Sequence, residues 1–133
     1  MKQYAWCTDI HLDFIDGPDE VGRVHEEFAE PISKLDCTGV FITGDLSLTE
    51  HLSRHLKILD AVIGKPVYFV LGNHDFYGGG LRATREIVKA TCQETKNLTY
   101  LTHAGHVPLS DTTALVGHDG WYDAYFGDPF NGG

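Results

Sequence analysis

Apolar runs without polar alternation, each followed by a helical period, constrain this chain most. "GVFIT" (39–43) and "PVYFVL" (66–71) are apolar almost throughout, and "YAWCT" (4–8) is a shorter run of the same kind. A strand with one wet face alternates, whereas uninterrupted runs mark parallel strands covered on both faces. Between them, "DEVGRVHEEFAEPISKLD" (19–36) places Val21, Val24, Phe28, Ile32 and Leu35 at helical spacing. Pro31 is expected to kink or split that helix. "TEHLSRHLKILDAVI" (49–63) carries Leu52, Leu56, Leu59 and Ile63 on one face. Thr49 is its expected N-cap, and Gly64 then Pro66 stop it. "LRATREIVKATCQETKN" (81–97) is a third helix. Strand and helix thus alternate three times. That predicts an α/β fold of βαβ units, a mainly parallel sheet with helices on its faces. Beyond residue 97 the pattern reads as three short strands, with turns at Ala104-Gly105 and Ser110-Asp111. They are expected to pair antiparallel and begin a second sheet. The closing "GDPFNGG" consists of turn formers.

The chain has 133 residues, the size of one domain. Its formal charge of −9 argues against broad, sequence-independent nucleic-acid binding, which needs a basic surface. It leaves room for a phosphate substrate beside bound metal, because a divalent cation reverses the local field. Three cysteines, Cys7, Cys37 and Cys92, show no paired spacing. They read as small buried hydrophobes in a reducing compartment, not as a disulfide framework or a zinc site. "MKQYAWCTDIH" turns polar too early for a signal peptide, and no apolar run reaches the length of a membrane span. A cytoplasmic location is expected.

Each of the first three strands ends in residues able to hold metal. They are Asp9 and His11, then Gly44-Asp45, then Gly72-Asn73-His74-Asp75. Singly, each is an ordinary polar turn. Jointly they occupy the carboxyl ends of successive parallel strands, the edge where open α/β sheets bind ligands. In an extended stretch Asp9 and His11 would point the same way and Ile10 the other. Two carboxylates, an imidazole and an amide oxygen, with no thiolate, suit Mn²⁺, Fe²⁺ or Zn²⁺. One carboxylate can bridge two ions, and Asp45, on the central strand of the three, is the natural bridge.

D-x-H, G-D and G-N-H-D, each after a strand and separated by helices, resemble the calcineurin-like metallophosphoesterase family. The likeness is good over roughly residues 4–78. It implies a four-layer α/β/β/α sandwich, of which this chain resembles the first half, and two divalent ions (Mn²⁺, Fe²⁺/Fe³⁺ or Zn²⁺). Asp9 and His11 would hold the first ion, Asp45 would bridge, and Asn73 would hold the second. His74 would be the catalytic histidine near the leaving group, and Asp75 the carboxylate that orients it. The implied activity is hydrolysis of phosphate mono- or diesters, as a phosphatase or phosphodiesterase. A hydroxide bridging the ions attacks phosphorus and His74 assists the leaving oxygen. Gly44 and Gly72 would let the backbone turn sharply and approach the ions.

The family's later ligands, a further histidine and a G-H-x-H pair, have no clear match. "GHDG" (117–120) offers His118 alone, which would line the site rim. His103 and His106 read as solvated turn residues, and Trp121 and Tyr122 as packing. His51 and His55 stand four apart on the second helix and read, with His25, as exposed polar faces. The chain is therefore expected to be a single, truncated domain over residues 1–133. An exposed sheet edge or apolar face would favour self-association. The rival expectation is an inactive fragment that binds metal weakly or serves as an interaction module.

Overall fold

The structure, a computed structural model, describes residues 2–15 and 17–120. The chain opens with β1 (Tyr4–Cys7), a 3-10 turn (Leu12–Phe14) and α1 (Glu20–Arg23). A π-helical turn (Val24–Ala29) leads into α2 (Glu30–Ser33) and β2 (Gly39–Thr43). Then come α3 (Thr49–Ile63), β3 (Val67–Val70), a 3-10 turn (His74–Phe76) and α4 (Leu81–Glu94). β4 (Leu98–Tyr100), α5 (Leu101–Ala104), β5 (His106–Ser110) and β6 (Thr113–Val116) complete the described elements.

β1 to β4 form one parallel sheet in the order β1-β2-β3-β4, and β5 and β6 form an antiparallel pair. The expected parallel sheet and the start of a second sheet are both present. Two details differ from the sequence reading. The first strand after residue 97 does not begin the second sheet. It closes another βαβ unit, pairing parallel with β3 through Val67↔Leu98 and Phe69↔Tyr100. The helices also cover one face instead of two. Right-handed crossovers between strands taken in sequence order all return on the same side. On that side Val40, Ile42, Val67 and Phe69 pack with Leu52, Leu56, Leu59, Ile63 and Val88 of the helices. The other face carries Tyr4, Trp6, Phe41 and Tyr68. The Tyr4 and Phe41 rings stack at 4.7 Å, and Trp6 is 70% exposed. Aromatic residues on that face made the strands look buried on both sides.

Pro31 acts through a widened turn. In a regular α-helix its ring would meet the carbonyl four residues back. Here the chain makes a π turn first, with the Glu30 N–H donating to the His25 carbonyl, and Pro31 then falls in the first turn of α2, where no N–H is needed. α3 has the expected bounds, and Gly64 ends it with a left-handed φ of 62°. Thr49, however, is the first helical residue and not the cap. Its Oγ1 donates to the Asp75 carbonyl at 2.7 Å and meets Thr84 Oγ1 at 2.9 Å, tying α3 to the turn after β3 and to α4. The third helix stops at Glu94 because Asp60 Oδ1 takes the N–H groups of Lys96 and Asn97, at 3.1 and 2.7 Å.

Candidate metal centre

The hydrogen bonding between β1 and β2 continues past the strand ends. Asp9 N–H donates to Gly44 O (3.1 Å), His11 N–H to Asp45 O (2.9 Å) and Leu12 N–H to Leu46 O (2.8 Å). These bonds clip the first two candidate loops together. Asp9, His11 and Asp45 all have left-handed backbones, with φ of 51°, 42° and 49°. Among the described residues they are the non-glycine residues with positive φ. Such a conformation costs a non-glycine residue about 1–2 kcal/mol, and strain of this kind gathers at functional sites. The extended geometry expected for Asp9 and His11 is therefore absent. Their side chains converge all the same: donor atoms of Asp9, His11 and Asp45 lie within 4.8 Å of one another.

The β3 loop enters at close quarters. A Cβ on Gly72 would fall 2.1 Å from Asp45 Oδ1, so only glycine permits the approach. Asp45 Oδ1 accepts the His74 N–H at 3.0 Å, and Asp45 Oδ2 stands 3.8 Å from His11 Nε2. That separation exceeds hydrogen-bond reach. It suits an ion ligated by each atom at about 2.0–2.2 Å. Asn73 Nδ2 donates to Tyr77 Oη at 2.8 Å, so the amide oxygen is the atom that could serve as a ligand. The His74 ring meets the His11 ring edge-on, 4.6 Å between centroids.

Asp75 is fully buried. Its Oδ1 accepts the Leu46 and Ser47 N–H groups and its Oδ2 the Gly72 N–H, each at 2.8 Å. Its oxygens are thus spent on backbone amides, and it bears on His74 through the loop. Burial pushes its carboxyl up to about 7, while the three amides pull it down and Asp45 pushes it further up.

Two residues of this region escaped the sequence reading. Tyr77 buttresses Asn73 and packs its ring on His74. Asp13 joins His11 and His74 in a second cluster of donor atoms within 4.8 Å of one another. Asp13 repeats the i, i+2 spacing that links Asp9 to His11, and that spacing could have flagged it.

His55 differs from the exposed residue expected on α3. It is 1% exposed, with Nδ1 on Ser47 Oγ (2.8 Å) and Nε2 on Glu20 (2.5 Å). Ser47 in turn gives its N–H to Asp75, so this chain of bonds supports the candidate metal-binding loops from behind. Burial pushes the His55 imidazole below its usual range, opposed by Glu20. A depressed histidine stabilises the fold above its unfolded value of about 6.5, and that contribution fades as pH falls through the folded value. Asp75, whose carboxyl is raised, acts with the opposite sign in the same window, so the contribution of His55 is read as a difference. Relative to the unaltered metal-free protein, His55→Gln is expected to gain urea resistance as pH falls below about 6.5; a difference between the two urea midpoints that does not change with pH would discard the assignment.

His25, His103 and His106 are exposed, as expected. His118 is also exposed and lines a groove with Trp6, Thr43, Val70 and Val116 on the aromatic side of the sheet. Its neighbour Asp119 is buried, taking the Leu71 N–H (2.9 Å), the Thr102 hydroxyl (2.7 Å), Arg85 Nε (3.1 Å) and the Tyr100 hydroxyl. Trp121 and Tyr122 lie outside the described residues.

A parallel α/β sheet whose first three strand ends bring carboxylate and imidazole donors together is the class of fold that can hold a metal ion at its carboxyl edge. The convergence of Asp9, His11 and Asp45 donor atoms, each held in a left-handed backbone, fits that reading. Residues 3–132 match the calcineurin-like phosphoesterase family, and the chain belongs to that family. A search of curated proteins and one of solved structures find no significant match. Membership makes metal-dependent phosphoester hydrolysis the chemistry of this fold and phosphate esters its substrate class. No described helix is long and apolar enough to cross a membrane.

Proposed function

We propose that this site hydrolyses phosphate mono- or diesters with two divalent ions, Mn²⁺, Fe²⁺/Fe³⁺ or Zn²⁺. Asp9, His11 and Asp45 hold one ion, and Asp45 and Asn73 the other. The observation that carries the reading is the convergence of Asp9, His11 and Asp45, each in a left-handed backbone, within 4.8 Å. When bound, the ions supply an activated water as nucleophile and neutralise charge on the phosphoryl oxygens. The chain's own residues orient the reaction. Asp45 turns one oxygen toward His11 and with the other fixes the His74 amide, coupling the ligand set to the catalytic ring. His74 is the group that hands a proton to the leaving oxygen. Asp75 pins Leu46, Ser47 and Gly72 and so holds the loop that carries His74. The free thiols of Cys7, Cys37 and Cys92 support a cytoplasmic setting.

The test is metal content and turnover on one sample. Chelator-treated protein is given Mn²⁺ and an aryl phosphate monoester or diester. About two ions per chain and metal-stimulated release of the aryl alcohol are expected. None or one ion without turnover favours a second reading, a non-catalytic domain that binds metal weakly or acts as an interaction module. The open aromatic face, with Trp6 70% exposed, supports that alternative and self-association through the sheet.

A further inference from the structure

We propose that Asp13 is the carboxylate that orients both His11 and His74, a positioning residue of the site; the inference rests on the phosphoesterase reading above. Asp13 lies in the turn that follows the first ligand pair, and its side chain is 4% exposed. Its Oδ1 has no hydrogen-bond partner. The other buried side-chain atoms without one, among the described residues, are His11 Nδ1 and His74 Nδ1. Asp13 Oδ1 stands 3.8 Å from His11 Nδ1, and Asp13, His11 and His74 bring donor atoms within 4.8 Å of one another. The three orphaned atoms are chemically complementary: two ring nitrogens able to donate and one oxygen able to accept both.

The other nearby carboxylates are committed. Asp75 is saturated by the Leu46, Ser47 and Gly72 amides, and Asp45 faces His11 from the opposite nitrogen. A buried donor left unpaired gives up its bonds to water and gains none in return. A side-chain closure of about an ångström would bring Asp13, now at 3.8 Å, within reach of His11, since a charge-assisted bond lies near 2.7–2.9 Å. The consequence is a fixed tautomer. With the proton held on Nδ1, His11 presents the Nε2 lone pair toward Asp45 Oδ2, where a ligand is needed. In His74 the same choice leaves Nε2 as the nitrogen that exchanges a proton with the leaving group. This is the role the family resemblance implies for Asp75, transferred to a residue on the first loop.

The test is a long-range proton–nitrogen NMR correlation on metal-free ¹⁵N-labelled protein at about pH 8, above the ordinary imidazole range. Both His11 and His74 are expected as the Nδ1–H tautomer. Asp13→Leu should move both toward Nε2–H, while Asp13→Asn, whose amide oxygen still accepts, should keep them. The exposed rings of His103 and His106 serve as controls. Nε2–H in either ring of the unaltered protein, or unmoved tautomers in Asp13→Leu, overturns the proposal. The unaltered protein decides the point even if the leucine variant fails to fold. The measurement needs no turnover, so an inactive chain with both rings Nδ1–H would count against the phosphoesterase reading and leave the role of Asp13 standing.

Discussion

Asp45→Asn is expected to lower metal-stimulated phosphoester hydrolysis at least about a thousandfold while leaving the fold intact. The change is isosteric, and the asparagine oxygen can keep the His74 N–H bond now 3.0 Å long. What disappears is the negative charge and the second oxygen, the one that stands 3.8 Å from His11 Nε2. An amide nitrogen there has no lone pair to offer an ion and would turn a donor toward it. Both proposed ions share this residue, so the loss falls on both. Initial rates with Mn²⁺ and an aryl phosphate, read beside metal content and a urea midpoint, separate chemistry from folding. Turnover at the unaltered level would remove Asp45 from the mechanism.

Asp75→Ala should instead act on stability, costing about 3–5 kcal/mol. It strips the acceptor from three N–H groups, those of Leu46, Ser47 and Gly72, at a fully buried position. A domain of this size holds about 5–15 kcal/mol in all, so the variant would sit close to unfolding. Asp75→Asn should fall between. Its oxygen can still take the Leu46 and Ser47 amides, but its nitrogen would face the Gly72 N–H, donor against donor. Urea unfolding of the metal-free proteins measures the order. A cost under about 1 kcal/mol for alanine would mean that water or another acceptor replaces the carboxylate.

The alternation of apolar runs and helical periods was enough to read β1 to β3 and α3, because local periodicity and burial agree there. The candidate donors were legible for the same reason, since each cluster follows a strand end and topology gathers the ends. The rest depended on information that spacing does not carry. Helices on one side of the sheet follow from the strand order, which no single segment encodes. His55 looked like a surface residue because its partners, Ser47 on a loop and Glu20 on α1, approach from elsewhere in the chain. The family resemblance made Asp75 the ring orienter, but its buried carboxylate takes the Leu46, Ser47 and Gly72 amides. Asp13 went unnoticed because its relation to His74 spans two loops.

The left-handed backbones of Asp9, His11 and Asp45 set fold robustness against function at the same positions. Glycine at Asp9 or His11 would relax the backbone and remove a candidate ligand, while at Asp45 it would also give up the acceptor of the His74 N–H. A selection for heat resistance alone, blind to catalysis, would therefore be drawn to these residues and would erase the site first. Their side chains are tolerated in that conformation only by what they do there.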